Sequence, residues 1–283
     1  MNIITIFLKI KALIKNNIYI FKEKIMCILY SKNKLSILFS EKPIWDSFLV
    51  NSFKWTNNKA YFDEFTAENI KKYDLVVPLT YSDLIKLVEM REVLQHNPIP
   101  IPTIESVRIC NDKFIFNSML IENGFEKYVP RMGKSSAFPY ILKMKEGEYG
   151  RGTEIISSKE EEMLCLDMIN SSKYFCQEIV NGKNEFATHI IFKDKKILCS
   201  MSNKYIFEVE NFINGQTKYI CREVTNCPYL DIFSSILLLI DFEGICCFDY
   251  KVVENRPLIF EINPRFGGSL TSYFFSFVKH LKK

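Results

Sequence analysis

Short apolar runs bounded by turn-forming residues dominate the second half of this chain. Two β-rich runs, Ile245–Val253 and Leu258–Ile262, flank Glu254-Asn255-Arg256-Pro257, which predicts a hairpin. Lys34–Phe39 and Tyr73–Leu79 read as short buried strands, and Tyr81–Gln95 as a helix capped by Ser82 or Thr80. The proline-rich Asn97–Pro102 reads as a linker or extended segment. A helical stretch then runs from Asn111-Asp112-Lys113 to near Gly124. From residue 138 onward, strands are expected at 139–144, 153–157, 174–180, 185–192, 196–202 and near 218–224. Helices are expected at 158–170 and 229–240, Lys193-Asp194-Lys195 as a hairpin turn, and Leu270–Leu281 as a final short helix. Runs of strands with helices on one side predict the α+β class.

The N-terminal pattern differs. Met1–Phe21 is rich in Ile and Leu, but Lys9, Lys11 and Lys15 interrupt it, so no run approaches the roughly 18 residues a membrane span needs. A secretory signal would place its charges first and end in small residues, and neither occurs. Helical spacing groups Lys11, Lys15 and Lys22 on one side, predicting a basic amphipathic extension over residues 1–33. Packing on its own domain or a poorly ordered extension is expected, with membrane-surface contact as the alternative. A start at Met26 would leave most of this segment out.

Of 283 residues, 48% are apolar, enough to bury a sizeable core. The net charge of +4 gives no overall nucleic-acid footprint, so a nucleic-acid partner is not expected. Residues 1–34 hold seven lysines against the single acid Glu23, so the basic character is local. Nine cysteines form no C-x-x-C pair, and three histidines offer no zinc spacing, which points to reduced thiols and a cytoplasmic setting.

Candidate chemistry concentrates in the hairpin. Side chains alternate along a strand, so Glu261 and Asn263 share a face, and a turn centred near Asn255 sets Asp249 opposite Glu261. Two carboxylates and an amide oxygen are hard ligands suited to Mg²⁺, with Mn²⁺ as a substitute, bridging nucleotide phosphates. Arg265 follows directly, placed to meet phosphate charge.

This segment resembles the metal-binding end of ATP-grasp enzymes, and further elements follow the order of that family. Asn111-Asp112-Lys113 resembles its D-K element. Phe138–Thr153, containing Lys143, Gly147, Gly150 and Gly152, is similar to its strand, lysine and glycine-rich phosphate loop. Gln177–Phe186 resembles its adenine- and ribose-holding hinge. The likeness spans roughly residues 74–270. It implies two α+β lobes closing on ATP, over 103–180 and 181–283, preceded by a small α/β domain over 34–102. The first strand of that domain, Leu35–Ser40, lacks the glycine-rich turn of better-kept versions.

The resemblance implies that Lys113 and Lys143 reach the ATP phosphates, that Glu178 and Val180 meet the adenine edge, and that Glu185 takes the ribose hydroxyls. Lys204 and Arg222 fall where relatives often carry basic groups facing the transferred phosphate. Arg265 would stabilise phosphoryl charge, and His189 is read as structural. The implied reaction is ATP-dependent activation of a small-molecule carboxylate as an acylphosphate, attacked by an amine. A kinase-like phosphotransferase and a catalytically degraded ATP-binding regulator are the alternatives. A homodimer is the default assembly.

Overall fold

The computed structural model describes residues 2–30, 34–135 and 137–281. Helix α1 (Ile3–Tyr30) precedes β1 (Ser36–Phe39), α2 (Pro43–Ser52), β2 (Lys59–Phe62), α3 (Ala67–Ile70), β3 (Leu75–Val77) and α4 (Tyr81–Glu89). The three strands form a parallel sheet in the order β2-β1-β3. Leu75, Val76 and Val77 are all buried, the apolar run expected of a parallel strand covered on both faces. Thr80, one of the two expected caps, opens α4 in a reciprocal capping box with Asp83. The helix stops at Glu89, and a 3₁₀ turn (Arg91–Leu94) completes the stretch read as one helix.

Helix α5 (Ile104–Asn111), α2, α3 and β2 were not signalled by the apolar pattern. In β2 exposed and half-buried positions alternate, leaving no apolar run to read. Helix α6 (Lys113–Glu122) begins where Asp112 accepts hydrogen bonds from the amides of Phe114 and Ile115.

A three-stranded antiparallel sheet, β5-β4-β6, is built from β4 (Tyr140–Met144), β5 (Thr153–Ile156) and β6 (Tyr174–Glu178). Between β5 and β6 the expected single helix is two short ones, α7 (Lys159–Leu164) and α8 (Leu166–Ile169), broken at Cys165. A five-stranded antiparallel sheet, β11-β10-β7-β8-β9, follows from β7 (Asn184–Lys193), β8 (Lys196–Ile206), β9 (Cys221–Thr225), β10 (Gly244–Val253) and β11 (Arg256–Asn263), with α9 (Leu230–Leu239) on one face. Both hairpins turn on two residues with positive φ, Asp194-Lys195 and Glu254-Asn255, so Arg256 and Pro257 belong to the strand and not to the turn. The tail is a correction: in place of a helix over Leu270–Leu281 the chain makes a 3₁₀ turn (Gly268–Leu270) and a four-residue helix, α10 (Phe275–Val278).

The large sheet is buried on both faces. Ile190, Phe192, Cys246 and Phe248 pack with α6 and α9 residues such as Phe116 and Phe233. On the other face Ile191, Met201 and Ile245 share one core with Ile37, Phe39, Leu49 and the C-terminal Phe266, Phe274 and Phe277. The small parallel sheet is thus welded to the large one through the C-terminal segment. Two sheet edges end against side-chain amides. Asn97 accepts from the Val76 amide at 2.9 Å and donates to the Val76 carbonyl at 3.1 Å. On β9, Asn16 of α1 accepts from the Val224 amide at 2.8 Å and donates to the Arg222 carbonyl at 2.9 Å.

Candidate active site

Along β10, Cys246 enters one core while its neighbour Cys247 takes the opposite face with Asp249 and Lys251. These three open into a cavity of about 360 Å³ between the three-stranded and five-stranded sheets. Asp249 pairs with Glu261 across the hairpin. Asn263 donates to both carboxylates, at 2.9 Å to Asp249 and 3.1 Å to Glu261. Burial and the adjacent Glu261 raise the Asp249 carboxyl well above its ordinary range. Burial also pushes Glu261 upward, but the Lys113 ammonium 3.1 Å away prevails and holds it below the usual value.

Among the described residues no group of three or more His, Cys, Asp or Glu side chains is arranged to hold a metal. The donor set is instead two carboxylates and one amide. The Asn263 NH₂ stands between the carboxylates and supplies the partial positive charge they need. A flip of that amide would present its oxygen, completing three hard donors that fit Mg²⁺.

Lys113, the first residue of α6, also donates to the Gly147 carbonyl at 2.8 Å. Lys143 is buried on β4, donating to Gln177 Oε1 at 3.1 Å, with the Phe260 ring centroid 4.8 Å away. Burial lowers its pKa to about 8, against the pull of Glu261. Glu185 is pushed up to about 7 by burial, offset in part by a 2.6 Å hydrogen bond from Asn214.

The glycine loop is clasped from across the cavity. Gln216 donates to the carbonyls of Gly150 (2.7 Å) and Thr153 (3.0 Å). Gly150 and Gly152 both have positive φ, and a Cβ on Gly150 would lie 2.6 Å from Ile213. In this arrangement the small residues permit loop-on-loop contact. Arg265, also buried, ties the loop further by donating to Glu148 at 2.6 Å.

Of the remaining expected residues, Glu178 lies at the cavity rim, its amide donating to the Arg131 carbonyl. Val180 lines the cavity and its carbonyl accepts from Lys251 at 2.8 Å. Arg222 lines the cavity from β9. Lys204 is not brought there: Tyr205 faces the cavity, so strand alternation turns Lys204 away, opposite Glu223. His189 is held neutral by burial, its pKa near 3, and shares a 2.6 Å hydrogen bond with Ser269.

Lys251, Trp45 and Asn214 are among the lining residues that the sequence does not single out. Lys251 was detectable, since it lies two positions beyond Asp249 on one strand. Trp45 and Asn214 carry no local signal, being delivered by α2 and by the loop before β9.

A family model described as an ATP-grasp domain matches residues 110–269. No curated protein sequence matches. Among solved structures, the chain is similar to phosphoribosylamine–glycine ligase from Thermotoga maritima, with 14% identity, TM-score 0.62, 84% of this chain and 70% of that one covered. It is similar to L-amino acid ligase from Bacillus licheniformis at 12% identity and TM-score 0.56, covering 86% and 69%. For D-alanine–D-alanine ligase from Bacillus anthracis the values are 16%, 0.54, 83% and 88%. Such identities speak to the fold, while the domain match spans more than half of the sequence. The chain therefore belongs to the ATP-grasp family.

Proposed function

We propose that the protein is an ADP-forming carboxylate–amine ligase acting on small molecules. The observation that carries this reading is the convergence of Lys113, Lys143, Asp249, Glu261, Asn263 and Arg265 on one cavity. ATP carries about four negative charges, and two lysines with an arginine answer them. Mg²⁺ held by Asp249, Glu261 and Asn263 would neutralise charge on the phosphate oxygens.

Lys113 and Lys143 would bind and orient the phosphates, and the clasped glycine loop would exclude water. A substrate carboxylate would attack the γ-phosphorus, releasing ADP and leaving an acylphosphate. An amine would then displace phosphate and form the amide. Arg265 and Arg222, both at the cavity, are suited to the carboxylate and to phosphoryl charge.

The test is ADP and phosphate release with Mg-ATP against pools of carboxylates and amines, for wild type and Glu261→Ala. Release that needs both pools and disappears in the variant supports a ligase. Release with one pool alone, leaving a stable phosphorylated product, replaces it with a phosphotransferase. Failure of the folded protein to bind Mg-ATP would sink the site assignment.

A further inference from the structure

We propose that α1 seats the protein on an anionic lipid surface. This rests on α1 and the surface beside it and is independent of the reaction above. The helix has two unlike faces. Its inner face carries Ala12, Asn16, Tyr19, Glu23 and Cys27. Here Asn16 pairs with β9, Tyr19 donates to Ser276 at 3.3 Å, and Cys27 lies 3.6 Å from the Phe275 carbonyl. Packing on its own domain is therefore what the small and polar side does.

The apolar side points outward. Ile3, Phe7, Ile10, Ile14, Ile18, Phe21 and Ile28 are all exposed, Ile3 at 82%, Phe7 at 64% and Phe21 at 69%. From Ile3 to Phe21 they recur every three or four residues, and Ile28 follows two turns on, along a helix of 28 residues about 42 Å long. An exposed apolar row of this length marks an interaction surface.

Charge selects the occupant. Every charged residue exposed on α1 is a lysine: Lys9, Lys11, Lys15 and Lys22. The helix's single acid, Glu23, turns inward to an ion pair with Lys279. Lys15 reaches Glu223 at 3.2 Å, while Lys11 and Lys22 border the apolar row. Two copies laid face to face would set lysines against lysines. Anionic headgroups would neutralise them while Phe and Ile side chains enter the acyl boundary. Trp55, 80% exposed, sits next to Lys54, whose carbonyl accepts from Lys24 of α1 at 2.9 Å. An exposed tryptophan beside the helix suits the headgroup layer. No helix among the described residues is long and apolar enough to cross a membrane, so α1 would lie in the surface plane.

The test is flotation of the full chain with vesicles of equal phosphatidylcholine and phosphatidylglycerol, against phosphatidylcholine alone. Wild type is expected on the anionic vesicles. The double variant Phe7→Glu/Phe21→Glu, altered only at exposed positions, should keep its Tm and bind about tenfold more weakly or worse. Lys11→Glu/Lys22→Glu should lose the preference for anionic lipid. Wild type that favours neither vesicle overturns the proposal. So does a dimer in solution that Phe7→Glu/Phe21→Glu dissolves, since a second copy would then cover the row.

Discussion

Asp249 faces Glu261 because β11 is bulged at Phe260. The two-residue turn pairs Val253 with Arg256 and, continued evenly, would set Asp249 against Phe260. The extra residue lets both Phe260 and Glu261 line the cavity. The ring then approaches the Lys143 ammonium while the carboxylate meets Lys113. One irregularity thus serves both lysines.

Removing the Glu261 carboxylate should disable turnover while leaving the fold. Glu261→Gln is expected to cut ADP release roughly a hundredfold or more, with a Tm close to wild type. The measurement is steady-state ADP release alongside thermal unfolding. Unchanged turnover would remove Glu261 from the metal-ligand set.

Nucleotide affinity should depend on pH through Lys143. Its pKa of about 8 is depressed by burial, and bound phosphate would favour the charged form and raise it. Affinity is therefore full below about pH 8 and falls above it, by up to about tenfold per pH unit. Calorimetric titration with Mg-ATP at successive pH values reads this, and Lys143→Met should bind weakly and flatten the profile.

The clasp between the glycine loop and the 211–219 segment should be sensitive at Gly215. Its φ is positive, and a Cβ there would lie 2.3 Å from the Tyr149 carbonyl oxygen. Gly215→Ala is expected to cost about 1–3 kcal/mol and lower Tm by several degrees, with a raised KM for ATP. An unchanged KM would mean that the loop need not be held there.

Arg265 and Glu148 form one ion pair but should behave unequally. Glu148 is more than a third exposed, so Glu148→Ala should move Tm by little. Arg265→Ala leaves turnover without its buried cation and should lower kcat roughly a hundredfold. Equal kinetic effects would instead assign both residues to holding the loop.

Much of this was readable in the sequence. Alternation along β10 and β11 identified the Asp249–Glu261 pair, although by way of a turn centred on Asn255. The actual turn is half a residue earlier, and the bulge restores the pairing. Asp112 marked the start of α6 because a side-chain cap is a local event. Lys204 misled because loose spacing does not fix which face of a strand a residue takes. The clasp on Gly150 was invisible, since Ile213 and Gln216 reach it only through tertiary docking. The helical nature of α1 was legible as well. Its orientation was not, because the partners that claim Asn16 and Tyr19 lie more than 200 residues away.

Asn16 has a consequence for how the protein keeps to itself. The outer strand β9 would otherwise offer unpaired amides and carbonyls to any passing chain, the usual template for edge-to-edge aggregation. Asn16 occupies that template at Arg222 and Val224, as Asn97 does on β3. A polypeptide begun at Met26 would lack this cover while retaining every strand and every residue of the cavity, and would be prone to self-association through a sheet left open.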